Sequence, residues 1–207
     1  EPELCAQVME ELLAETGCCT VLKNTAFTRV VMDGRRIAAL ELSNGCQVRA
    51  PLFVDSTANI YLALACGCKT MLGQESRVTF GEPNAPDEPN DHLNGATLIY
   101  RVTPTAVPGI EPLPLDIPEV CWWAPRFPLA AINHYPNGDL NINMLPTMEG
   151  REVLKRGFEA AYAECVRRVY AHWHHNQMTF PEFRRYRLRW IAPGLGVREA
   201  RRVVGRY

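Results

Sequence analysis

The stretch PLFVDSTANIYLALACG, residues 51–67, decides how this chain is read. Pro51 puts its missing N–H at the start of an extended run, and Leu52, Phe53 and Val54 are consecutive apolar residues, the pattern of a strand buried on both faces. A short apolar helix over 60–66 follows, and Gly67 closes it. Between strand and helix lies an elbow, Asp55-Ser56-Thr57-Ala58-Asn59. Such an elbow leaves N–H groups and hydroxyls at the mouth of a sheet, where a helix N-terminus favours a diphosphate or a ribose. The competing reading is capping, in which Ser56 and Thr57 satisfy the orphan N–H groups of the helix itself.

Working back toward the N-terminus, Leu4, Val8, Leu12 and Leu13 form one helical stripe over residues 3–16, and Gly17 stops it, so a helix packed on a sheet is expected. CCTVL (18–22) reads as a short buried strand. The run from Ala26 to Ala50 then gives three strand-like segments, with Asp33-Gly34 and Asn44-Gly45 as the turns of an antiparallel meander.

Working forward, GEPNAPDEPNDHLNG (81–95) is a polar loop or linker, and ATLIYRVT (96–103) reads as a strand. The proline-rich segment 104–128 carries Trp122 and Trp123, and aromatic rings need burial, so it should be ordered. LAAINHY, a Pro136-Asn137-Gly138 turn and DLNINML form a hairpin whose Leu140, Ile142 and Met144 face a core while Asn141 and Asn143 stay wet. Thr147 is the expected N-cap of one long helix reaching about His175, with Leu154, Phe158, Ala161, Cys165 and Val169 on its core stripe. PGLGVREARR (193–202) should pass from a glycine loop into a short basic helix starting near Val197.

Bulk composition narrows the classes. Twenty-two Lys and Arg balance 23 Asp and Glu, so no global field recruits nucleic acid or an anionic membrane. The apolar runs are too short to span a bilayer, and a cytoplasmic chain is expected. Eight cysteines fall mostly inside apolar patterns and read as buried reduced thiols; Cys66-Gly67-Cys68 lacks a second ligand pair at zinc spacing. His172-Trp173-His174-His175 reads as surface histidines at a fraying helix end rather than a metal site. No G-x-S-x-G or other nucleophile motif is present.

Gly194 and Gly196 would let backbone approach a planar ligand, and Arg198 and Arg202, one helical turn apart, could hold a carboxylate, a phosphate or a reduced flavin. A solvated basic helix with Glu199 offsetting Arg202 is the bland alternative.

Three segments carry a family resemblance. They are residues 3–34, ending in NTAFTRVVMDG, then VRAPLFVDSTANIYLALACGCKTMLGQES (48–76) and PGLGVREARRVVGRY (193–207). Together they resemble the bacterial FAD-dependent oxidoreductase family, whose D-A-T-G-D turn corresponds to the elbow here, with Ala58 and Asn59 in place of the glycine and aspartate. The resemblance implies Phe27 near the adenine, Ser56, Thr57 and Ala58 near ribose or diphosphate, and Gly194, Gly196 and Arg198 near the isoalloxazine. By the same resemblance, Arg198 or Arg202 would take the catalytic role of stabilising anionic reduced flavin or a substrate carboxylate. The parent protein would pass a hydride from a small organic substrate to FAD.

The same comparison reads the chain as an internal fragment that lacks the family's G-x-G-x-x-G segment and does not by itself retain FAD. The expected fold is α/β plus α+β: residues 1–78 form a partial, Rossmann-like FAD-binding lobe with a β-meander, and 79–207 a substrate-side lobe of antiparallel strands and a long helix. Self-association is one way to cover an exposed sheet edge. A non-enzymatic binding or structural module on a degenerate flavoprotein scaffold is the alternative, favoured by Ala58 and Asn59.

Overall fold

The computed structural model describes residues 2–198 and 201–205, with side chains from residue 4 onward. It divides into two compact units: the chain up to Thr57 with Tyr61–Cys68, and Ala58–Ile60 with the chain from Lys69.

The first unit opens with helix α1 (Pro2–Glu15). Its apolar residues do not reach a core: Leu4, Met9 and Leu12 are more than half exposed. The meander follows, with β1 (Phe27–Asp33), β2 (Arg36–Leu42) and β3 (Gln47–Val48) in an antiparallel sheet of that order. Gly34 (φ 58°) and Gly45 (φ 82°) occupy left-handed backbone at the two turns, a conformation that glycine adopts without a Cβ clash. Helix α2 (Tyr61–Ala65) completes the unit, and Gly67 at φ 74° ends it.

Two expected strands are absent here. Residues 18–22 and 51–54 are extended or irregular and unpaired, and Leu52 and Val54 are 83% and 86% exposed. An apolar run becomes a buried strand only if neighbouring strands take up its N–H and C=O groups. No such neighbours occur among the described residues, every strand pair of which is antiparallel, so the expected Rossmann-like parallel arrangement is not what this unit presents.

The second unit holds the main core. Strand β4 (Thr70–Met71) and the short helix α3 (Arg77–Phe80) precede the loop of residues 81–95. A four-stranded antiparallel sheet is built from β5 (Ile99–Pro104), β6 (Ala130–His134), β7 (Leu140–Met144) and β8 (Tyr186–Ile191), in the order β6-β7-β5-β8. The period-2 alternation of β7 holds: Leu140, Ile142 and Met144 are buried, and Asn141 and Asn143 lie on the other face.

The expected single helix is two, α4 (Gly150–Arg156) and α5 (Phe158–Thr179), separated by Gly157 at φ 79°, ψ 158°. The buried Ala161, Cys165, Val169 and Trp173 of α5 pack on Tyr100, Val102 and Ile142 of the sheet. Leu154 and Phe158, placed on the core stripe by sequence, are about half exposed, because the break at Gly157 resets the helical phase. Thr147 is no N-cap. It is fully buried, accepting from Leu98 N at 2.8 Å and donating to Met144 O at 3.2 Å, and Glu149 stands at the cap position instead.

Glu111 anchors the proline-rich excursion onto this core: its carboxylate accepts from Trp173 Nε1 (2.6 Å) and Leu188 N (2.8 Å). Trp122 Nε1 donates to Glu164 at 2.8 Å. The expected basic helix is replaced by strand β9 (Arg202–Val203), paired antiparallel with β4; Glu199, its expected partner for Arg202, lies outside the described residues. Of the cysteines only Cys165 is buried, while Cys5, Cys18, Cys19, Cys46 and Cys68 are exposed, contrary to the expectation of buried thiols. No described helix is long and apolar enough to cross a membrane.

Candidate functional site

At the elbow, Asp55 organises everything around it. Its Oδ1 accepts from Thr57 N (3.0 Å) and Thr57 Oγ1 (2.6 Å), and its Oδ2 from Leu62 N (2.9 Å) and Ala63 N (3.0 Å). Thr57 Oγ1 in turn accepts from Tyr61 N at 2.9 Å. One carboxylate and one hydroxyl thus satisfy the first N–H groups of α2, the donors that a diphosphate would have used. Partial burial pushes the Asp55 carboxyl upward, but the hydrogen bonds from Thr57, Ala63 and Leu62 outweigh it and hold the group below the usual carboxylate range.

The elbow is therefore a capped turn carrying its own anion, and it does not fit a diphosphate at these N–H groups. Ser56 is exposed, and its hydroxyl makes no hydrogen bond among the described residues. Ala58 is not the residue with left-handed backbone; that role falls to Ile60 at φ 49°, unusual for a β-branched side chain.

The first unit does bring two expected residues together. Phe27 and Thr57 line one hollow of about 690 Å³, walled also by Ala26, Tyr61, Leu64 and Ala65. Its surface is mostly apolar and its volume falls in the range of small-molecule sites, so it fits a flat aromatic group such as an adenine. A second hollow of about 520 Å³ lies in the same unit, with Asp55, Cys66 and Cys68 in its wall.

In the second unit, Gly196 exchanges backbone hydrogen bonds with Thr97 (2.8 and 3.1 Å). A Cβ there would meet Thr97 Oγ1 at 2.9 Å, so packing against the Thr97 side chain already accounts for this glycine. Gly194 has room for a side chain, the nearest atom being a Phe158 ring carbon at 3.9 Å. The two arginines part company. Arg202 lies in β9 and pairs with Glu75 and the carbonyl of Gly73, and this hydrogen bond holds the Glu75 carboxyl below its ordinary range. Arg198 is exposed, with no ion pair among the described residues. Arg202 is thus already neutralised, and of the two arginines Arg198 is the one without a carboxylate partner among the described residues.

Sequence reasoning placed all three histidines of the 172–175 run at the surface, and none is exposed: His174 and His175 are half-buried. His172 is buried rather than at the surface, because α5 runs on to Thr179 and carries it into the core. Its Nε2–H donates to Pro128 O (3.1 Å), which leaves Nδ1 to accept from Tyr100 Oη (2.8 Å). Burial pushes His172 down to about 4 and the Tyr100 phenol well up. A third cavity, of about 470 Å³, lies in this unit, with Trp123, Arg126, Phe127 and Glu149 among its walls. Nothing in the local sequence marks it, since its residues come from two separate loop stretches and from helices α4 and α5. No cluster of three or more His, Cys, Asp or Glu among the described residues could hold a metal.

A family model described as FAD dependent oxidoreductase matches residues 1–207, the length of the chain. No curated protein and no solved structure matches.

Proposed function

The chain belongs to the FAD-dependent oxidoreductase family, and from that premise we propose that it serves a flavin-dependent oxidation in which a small organic substrate gives up a hydride. The flavin supplies the redox chemistry; the protein supplies binding, orientation and electrostatics. The observation that carries this reading is the apolar hollow shared by Phe27 and Thr57. There Phe27, Ala26 and Leu64 would hold the adenine by stacking and apolar contact, with Ser56 Oγ free to bond a ribose hydroxyl. In the second unit Arg198, exposed and without an ion pair among the described residues, would stabilise negative charge on reduced flavin or on a substrate carboxylate, and Gly194 leaves its backbone open to a flat ligand. Arg202 has no such part in this reading, being committed to Glu75.

The test is a titration of FAD into the protein, followed by flavin fluorescence. Saturable quenching is expected at added FAD even where the chain does not hold the cofactor tightly enough to retain it, and Ala65→Trp, which fills the hollow from an exposed position, should weaken it about tenfold or more. Equal binding by the two proteins would remove the hollow from the cofactor site.

One observation favours the second reading, a binding module that no longer uses flavin: Asp55 occupies the elbow donors with its own negative charge. Failure of the wild-type chain to quench FAD at any concentration would favour it.

A further inference from the structure

The cavity of about 470 Å³ in the second unit contains an unbalanced pair of charges. The apolar part of its lining includes Trp123, Phe127, Pro146 and Met148. Two of its charged residues are internally settled: Arg168 Nη2 meets Glu152 Oε1 at 2.8 Å, Arg168 Nε meets Glu164 Oε1 at 3.0 Å, and Nη1 donates to Thr147 O at 3.0 Å. The other two are not. Arg126 and Glu149 both line the cavity and are exposed, and neither makes an ion pair or side-chain hydrogen bond among the described residues, with each other or with anything else. Trp123 adds an indole N–H that is buried and lacks an acceptor.

A ligand that complements these features carries an anion for Arg126, a cation for Glu149 and an apolar body for the aromatic wall. Its volume is set by a cavity within the range of about 300–1,000 Å³ that small-molecule sites occupy. A fatty acid would leave Glu149 facing an apolar or like-charged group, and an amine would leave Arg126 unanswered. We propose that this cavity binds a zwitterionic α-amino acid with an aromatic or branched aliphatic side chain: its carboxylate on Arg126, its ammonium on Glu149, and its side chain against Phe127 and Met148. The proposal rests on this cavity alone and stands or falls separately from flavin binding.

Calorimetric titration of the whole chain with three probes tests it: L-phenylalanine, N-acetyl-L-phenylalanine, which lacks the ammonium, and L-phenylalanine amide, which lacks the carboxylate. Saturable binding of phenylalanine is expected, with each singly charged probe about tenfold weaker, the scale of one lost charge-assisted hydrogen bond. Arg126→Gln should abolish the preference for phenylalanine over its amide while keeping that over the acetylated probe, and Glu149→Gln should do the reverse. Both residues are exposed, so an unchanged circular dichroism spectrum and melting temperature are expected of each variant. The proposal is overturned by an absence of saturable heat with phenylalanine, by equal affinity for the three probes, or by folded variants that keep the wild-type pattern of preference.

Discussion

At the scale of single residues, the chemistry of this chain depends on polar groups that are paired in unexpected places. His172 is locked as the Nε2–H tautomer between Pro128 O and the Tyr100 hydroxyl. Because burial lowers its folded pKa to about 4 from an ordinary 6.5, the unfolded chain takes up the proton first as pH falls. The stabilising contribution is complete above pH 6.5 and is lost progressively toward pH 4. His172→Gln should therefore flatten the dependence of melting temperature on pH across that window; a slope identical to wild type would contradict the assignment. Tyr100→Phe takes from the same Nδ1 its 2.8 Å donor inside the core, leaving only Asn176 Nδ2 at 3.4 Å among the described residues, and should cost about 1 kcal/mol in urea unfolding. Asp55→Ala removes the cap of α2 and should destabilise the first unit by about 1 kcal/mol, read as faster amide exchange at Leu62 and Ala63.

At the scale of elements, the local code is strong where a turn or a period enforces it. Gly34 and Asn44-Gly45 set the meander, and the alternation of β7 sets which face is buried. It is weak where an element depends on what lies beside it. Thr147 looks like a cap but is drawn into the core by Leu98 and Met144, and the helix it was expected to start breaks at Gly157. That glycine sits in a backbone region almost closed to other residues, with no atom within 4 Å of a built Cβ. Gly157→Ala should then cost about 1–3 kcal/mol through backbone strain alone, checked by chemical denaturation. A loss below a few tenths would show that the junction relaxes freely. Among the described residues after Val197, Arg202 and Val203 pair with Met71 and Thr70 instead of continuing a helix, and Arg201 bonds a partner 131 residues upstream that is invisible to helical periodicity.

At the scale of the molecule, the two units differ in how much they bury. Among the described residues, Ala39 and Leu62 are the buried hydrophobics of the first unit, whereas the second assembles a cluster running from Ala96 through Val169 to Leu195. Apolar burial is the main favourable term in folding, so stability should be distributed unequally. Hydrogen exchange should show β5, β7 and α5 protected to the global level and β1–β3 exchanging by more frequent local opening. Uniform protection across both units would contradict this.

The sequence by itself determined the elements whose causes are local: the glycine turns of the meander, the alternating hairpin of β6 and β7, the helix stop at Gly67, and the motif runs that mark the flavin family. Tertiary structure alone decided what those elements touch. It left Leu52 and Val54 bare, buried His172, gave the elbow donors to Asp55 and the charge of Arg202 to Glu75, and gathered Arg126 and Glu149 around one cavity. The reason is physical. Backbone preference is set by a residue and its few neighbours along the chain, whereas burial, charge compensation and the walls of a cavity are properties of groups that only folding brings together.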